Sequence, residues 1–103
     1  MDEHLLKYHF VKQLLVYQQG ADPETLVDRT AKSAGVHPDA HRDNILDWIN
    51  YLTATGHLRR KGDVITPDDV SHLEAIHRMM EIRRNVRALK VDPALLRFFN
   101  PDR

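Results

Sequence analysis

The chain has 103 residues, with 15 Lys+Arg set against 15 Asp+Glu, seven His and no Cys, so its formal net charge is zero. That length suits one domain with at most an arm, and 42% apolar with 29% charged residues suits a globular core rather than wholesale disorder. The lack of cysteine excludes disulfides, thiolate zinc sites and cysteine nucleophiles, and no apolar run nears the roughly 20 residues that span a bilayer.

Glycine and proline divide the chain into five segments. In the first, His4 to Gln19, Leu6, Phe10, Leu14 and Tyr17 recur at i, i+4, i+8 and i+11, which places them on one helical face. Gly20 stands where a left-handed C-terminal cap is wanted. The second opens on Asp22-Pro23-Glu24, an N-cap, a first-position proline and a first-turn acid. Its apolar positions Val27, Ala31 and Ala34 share a face, and Gly35 ends it. The third predicts a helix from near His37-Pro38-Asp39 to Thr55, with Ile45, Trp48, Ile49 and Leu52 as its core stripe and Gly56 behind it. Next, His57-Leu58-Arg59-Arg60 and Val64-Ile65-Thr66 are β-prone runs around Lys61-Gly62-Asp63, which predicts a hairpin. An isolated hairpin is barely stable, so it must lie on the helices. Thr66-Pro67-Asp68-Asp69 then predicts an N-cap, an N1 proline and two dipole-favoured acids. The fourth helix can continue to Leu89, a length of about 33–36 Å. Residues Asp92 to Phe99 predict a short capped helix stopped by Pro101.

The order helix, helix, helix, hairpin, helix carries local detail. Ala31 lies four residues before Gly35, a small residue where two helices pack before a turn glycine, and Val36 follows as an apolar plug. The segment Ala54-Thr55-Gly56-His57-Leu58-Arg59-Arg60 is similar to the run that leads from recognition helix to wing in many bacterial winged-helix regulators. Over about residues 5–89 the chain therefore resembles the winged helix-turn-helix superfamily. The resemblance implies a mainly α fold with a short β-hairpin. A winged helix-turn-helix core would span residues 1–66, a long C-terminal helix serving as core cover and dimer arm 67–91, and a hydrophobic tail 92–103. One departure matters. The first core residue of such a recognition helix commonly falls six positions after the turn glycine, yet here that position is His41 and the first aliphatic is Ile45. Ile49, Leu52 and Gly56 are displaced by the same four residues, about one helical turn. Either the helix gains a turn at its N-terminus or the turn itself is longer. In both cases residues 37–44 lie where base contacts are made.

That segment reads two ways. Arg42 and Asn44 suit guanine and adenine edges, His41 lies beside them, and Asn50 and Tyr51 could reach backbone. Asp39, Asp43 and Asp47 put three carboxylates on the same helix, which suits a solvated or protein-binding face instead. Charge by segment is uneven. Residues 37–56 carry Arg42 against those three acids, whereas 57–66 carry Arg59, Arg60 and Lys61 against Asp63. Bases at a wing tip sit where winged helices touch phosphate, and they also protect a strand edge from unwanted pairing.

In the fourth helix Leu73, Ile76 and Met80 form one face, and Met79, Ile82, Val86 and Leu89 a second with the rhythm of a helix seam. A second copy could cover that seam, or the tail could fold back with Leu95, Leu96, Phe98 and Phe99, or both could hold in a dimer with exchanged tails. A homodimer is the expectation, with Met79, Ile82, Val86, Leu89, Leu95, Phe98 and Phe99 at its interface. His37 and His41 are four apart, a metal-compatible spacing, but two ligands argue for solvated or capping histidines, and no metal or cofactor is expected. With no Gly-rich phosphate loop and no nucleophile motif, neither is an enzyme. The acidic start, Met1-Asp2-Glu3-His4, is unlike a signal peptide and fits a cytoplasmic protein. The first expectation is a dimeric winged-helix protein that binds double-stranded DNA as a transcriptional regulator of prokaryotic or phage type. The alternative is a winged-helix interaction module of a larger assembly, binding protein through its acidic third helix or hydrophobic tail.

Overall fold

Helix α1 (Glu3–Val16) starts where Asp2 accepts the His4 amide at 3.0 Å, and it buries Leu6, Phe10, Val11 and Leu14 along one face. A computed structural model describes residues 2–81 and 93–99 of the chain. Gly20 does not cap α1. The helix ends at Tyr17, whose amide donates to the Gln13 carbonyl, and Gly20 has φ +123°. The hairpin explains the glycine: a Cβ at this point would stand 2.5 Å from Val64 Cγ1.

Helix α2 (Pro23–Ala34) is capped as expected, with Asp22 accepting the Thr25 amide at 3.2 Å and the Thr25 hydroxyl at 2.6 Å. Those two bonds hold the Asp22 carboxyl below its ordinary pKa, the hydroxyl more than the amide. Gly35 closes the helix in the left-handed conformation, φ +73°, and the Val36 amide reaches back to the Ala31 carbonyl at 2.9 Å. Ala31 is fully buried, which lets α2 and α3 approach closely.

Helix α3 (Pro38–Ala54) follows α2 after a turn of only Gly35 to His37, so residues 38–44 are helical. Its 17 residues span about 25 Å. His37 caps its N-terminus, Nδ1 accepting the Asp39 amide at 3.3 Å. Ile45, Trp48, Ile49 and Leu52 face the core.

Strands β1 (Leu58–Lys61) and β2 (Val64–Pro67) pair antiparallel around Gly62-Asp63, with Leu58 and Ile65 turned inward. Ala21 adds a one-residue third rung by exchanging both backbone hydrogen bonds with Ile65, at 3.1 and 2.8 Å. The hairpin is thereby tied to the α1–α2 junction. Helix α4 (Val70–Glu81) begins later than the Thr66-Pro67 signal implied, because Pro67 closes β2 opposite Leu58. Asp69 takes over as cap, accepting the His72 amide at 3.0 Å. The proposed extension to Leu89 lies outside the described residues.

Helix α5 (Pro93–Phe99) returns to the face shared by α1 and α3. Leu95 and Phe98 are buried there, the Phe98 ring lying 5.8 Å edge-on from Trp48 and 6.2 Å from Phe10. The described protein is thus mainly helical with one short antiparallel hairpin, and no helix in it is long and apolar enough to cross a membrane.

Candidate interaction surface

The 3.6-residue period sorts α3 into two faces. Ile45, Trp48, Ile49 and Leu52 take the inner one, which leaves Asp39, Asp43, Asp47 and Asn50 together on the outer one, all exposed. Asn44 is exposed on the flank, and His41 is half-buried towards the core side. Arg42, the only base of the helix, does not project with the acids. Its guanidinium bonds Glu24, which the Asp22-Pro23 start of α2 places across the turn. Among the described residues neither Asp43 nor Asp47 has an ion-pair partner, and Asp39 has only His37, at 3.8 Å. The outer face of α3 is acidic and carries no base.

Tyr51 is not available to a phosphate either. It is half-buried, and its hydroxyl donates to the Ala94 carbonyl of α5 at 2.6 Å. The hairpin divides its three bases. Arg59 Nε bonds Asp68 Oδ1 at 2.6 Å, so one base is engaged by the residue just past β2. Arg60 curls over the turn onto the Gly62 carbonyl at 3.2 Å, and Lys61 stands exposed beside it. Among the described residues neither Arg60 nor Lys61 meets a carboxylate. The tip is a small positive patch, with the half-exposed Val64 next to it.

The residues expected at a dimer interface separate. Leu95 and Phe98 are spent inside this chain's own core, and Met79 is half-buried against the same core. Ile82, Val86 and Leu89 lie outside the described residues, as does the side chain of Phe99. The histidine pair holds no third ligand: among the described residues no group of three or more His, Asp or Glu is placed to hold a metal.

One functional-looking residue escaped the sequence reading. Lys7 is only 3% exposed; its ammonium donates to the Phe98 carbonyl and lies 4.7 Å from the Phe98 ring and 5.5 Å from that of Trp48. A charge is tolerated there because a carbonyl and two ring faces replace its water. The signal was present, since Lys7 precedes Phe10 and Leu14 at i, i+3 and i+7 and so belongs to the apolar stripe of α1. Comparison with protein-family models, with curated proteins and with solved structures finds no match for this chain.

Proposed function

We propose that the chain is a winged helix-turn-helix module that engages a basic protein surface through the outer face of α3. The architecture is supported by three helices, a hairpin tied to the α1–α2 junction through Ala21, and a fourth helix packed on the first. The observation that carries the partner is the charge of that face: Asp39, Asp43 and Asp47 stand on it, while Arg42 is turned to Glu24. A DNA duplex presents about one negative charge per 1.7 Å of axis, and three carboxylates would meet it with repulsion. A partner bearing Lys and Arg meets the same face with attraction and is steered to it. No catalytic role is assigned: Asp68 holds Arg59 and Asp69 caps α4.

A second reading, the DNA-binding regulator, is favoured by a different observation. Arg60 and Lys61 project from the hairpin tip without a carboxylate partner among the described residues. In that reading the wing touches phosphate and α3 stays out of the groove.

One titration separates the two. The full chain is titrated against a labelled Lys/Arg-rich helical peptide, its Glu-rich counterpart and a random-sequence duplex, each at low and at physiological salt. The expected result is binding of the basic peptide alone, weakened in Asp43→Asn/Asp47→Asn and retained in Arg60→Ala/Lys61→Ala. A duplex that is bound, falls off steeply with salt and is lost in Arg60→Ala/Lys61→Ala overturns the protein reading in favour of DNA.

A further inference from the structure

The charge that α3 presents depends on a residue of α2. Asp22 caps α2 by accepting the Thr25 amide at 3.2 Å and the Thr25 hydroxyl at 2.6 Å, which fixes Glu24 in the first turn. Glu24 precedes the buried Val27 and Ala31 at i, i+3 and i+7, and Arg42 precedes the buried Ile45 and Ile49 at the same spacing. Each therefore stands at the rim of its helix's packed face, and the two rims meet where α2 packs on α3. There the Arg42 guanidinium bonds the Glu24 carboxylate. Among the described residues each is the other's only ion-pair partner, and Lys32, the last-turn base of α2, pairs with Asp28 at 3.4 Å. A second carboxylate is within Arg42's own helix. Asp39 lies three positions earlier, a neighbour spacing on a helix, yet its ion-pair contact is His37 at 3.8 Å.

We infer, resting on the reading of α3's outer face as the interaction surface, that Glu24 is its specificity-determining residue: by holding Arg42 at the α2–α3 seam it keeps that face selective for cationic partners over anionic ones. Without the Glu24 carboxylate the guanidinium returns to its own helix. There it offsets Asp39, one of the three acids of the face, and adds a base to the segment that enters the groove in winged helices. A Lys/Arg-bearing partner then loses attraction, and a nucleic-acid phosphate gains it. Glu24 touches neither partner; it acts through Arg42, as a positioning residue. Both side chains are about half exposed, so their pairing contributes little to stability and can be removed with the fold intact.

Four full-length chains test this role: wild type, Glu24→Gln, Arg42→Gln and Glu24→Gln/Arg42→Gln, with circular dichroism checking that helix content is equal. Glu24→Ala is run in parallel, since a glutamine carbonyl can still accept from Arg42. Each chain is titrated at low salt with the Lys/Arg-rich peptide and with the random-sequence duplex. Glu24→Gln should weaken peptide binding and strengthen duplex binding, each by about threefold, the scale of one exposed ion pair. In the Arg42→Gln background the same substitution should do markedly less to both probes, because no guanidinium remains to be released. Equal shifts in the two backgrounds mean that Glu24 is only one more acid, and they overturn its assigned role. Shifts of the opposite sign, or none with either probe, overturn it as well. Failure of the underlying protein reading looks different: wild type then leaves the basic peptide unbound, while the duplex comparison between the two backgrounds still decides the role of Glu24.

Discussion

The two faces of α3 are built by opposite rules. The inner face is apolar and buried, with Ile45 fully enclosed and Trp48 meeting Phe10 and Phe98. The outer face is three aspartates and an asparagine in water. Burial is where the hydrophobic free energy arises, so the inner face determines that α3 exists and where it lies. The outer face does little for the fold, and its like charges at i, i+4 slightly oppose the helix. With Arg42, the one arginine of α3, engaged by Glu24, the three carboxylates leave that face negatively charged.

The largest test of this contrast is Phe98→Ala, which empties the groove under α5. It should cost about 3–5 kcal/mol and shift the emission of Trp48, the only tryptophan, to longer wavelength. Chemical denaturation followed by fluorescence measures both, and an unchanged midpoint would remove α5 from the core. Ile45→Ala, directly on the inner face, should lose about 2–5 kcal/mol by the same measurement.

Next in size is Gly20→Ala. Here backbone and side chain together set the fit, because φ is +123° and an added Cβ would stand 2.5 Å from Val64 Cγ1. A loss of about 1–3 kcal/mol is expected, and the hairpin amides should exchange faster than those of α1. Equal protection in both would separate Gly20 from the hairpin's seat.

The half-buried histidine of α1 gives an intermediate effect. His9 Nδ1 lies 2.8 Å from the Ser33 hydroxyl, and burial, with the Lys12 charge behind it, holds the imidazole below its ordinary pKa. The unfolded chain therefore takes up that proton first, and stability falls as pH drops through about 6.5. The acid-side decline between neutral pH and pH 5.5 should be shallower in His9→Gln than in wild type. A parallel decline would mean the histidine contributes no linkage.

The smallest effect on stability belongs to the outer face. Asp39→Asn/Asp43→Asn/Asp47→Asn should move the unfolding free energy by no more than about 0.5 kcal/mol per site, while abolishing attraction to a basic peptide. A large destabilisation would place those carboxylates in the architecture rather than in recognition.

Much of the local structure was legible along the chain. Leu6, Phe10 and Leu14 mark the buried face of α1, Asp22-Pro23 starts α2, and Gly35 ends it, because periodicity, capping and positive φ are properties of a few neighbouring residues. The start of α3 at His37-Pro38 was legible for the same reason. Pairings between distant residues were not legible. Arg42 finds Glu24, Arg59 finds Asp68, Tyr51 finds Ala94 and Lys7 finds Phe98, the last across 91 positions. Each turned a candidate contact for a partner into an internal one, or revealed a buried charge that composition hides.

Ala21 is the sharpest case. One residue hydrogen-bonded to Ile65 has no period to read, yet it fixes the hairpin on the helices and explains a glycine that otherwise looks like a cap. The sequence by itself determined the helices, the hairpin and the neutral total charge, since these follow from residue types and their spacing. Only the tertiary structure decided which charges pair within the chain and that Leu95 and Phe98 are buried against α1 and α3. Those depend on which side chains the chain's long-range packing brings within a few ångströms of one another.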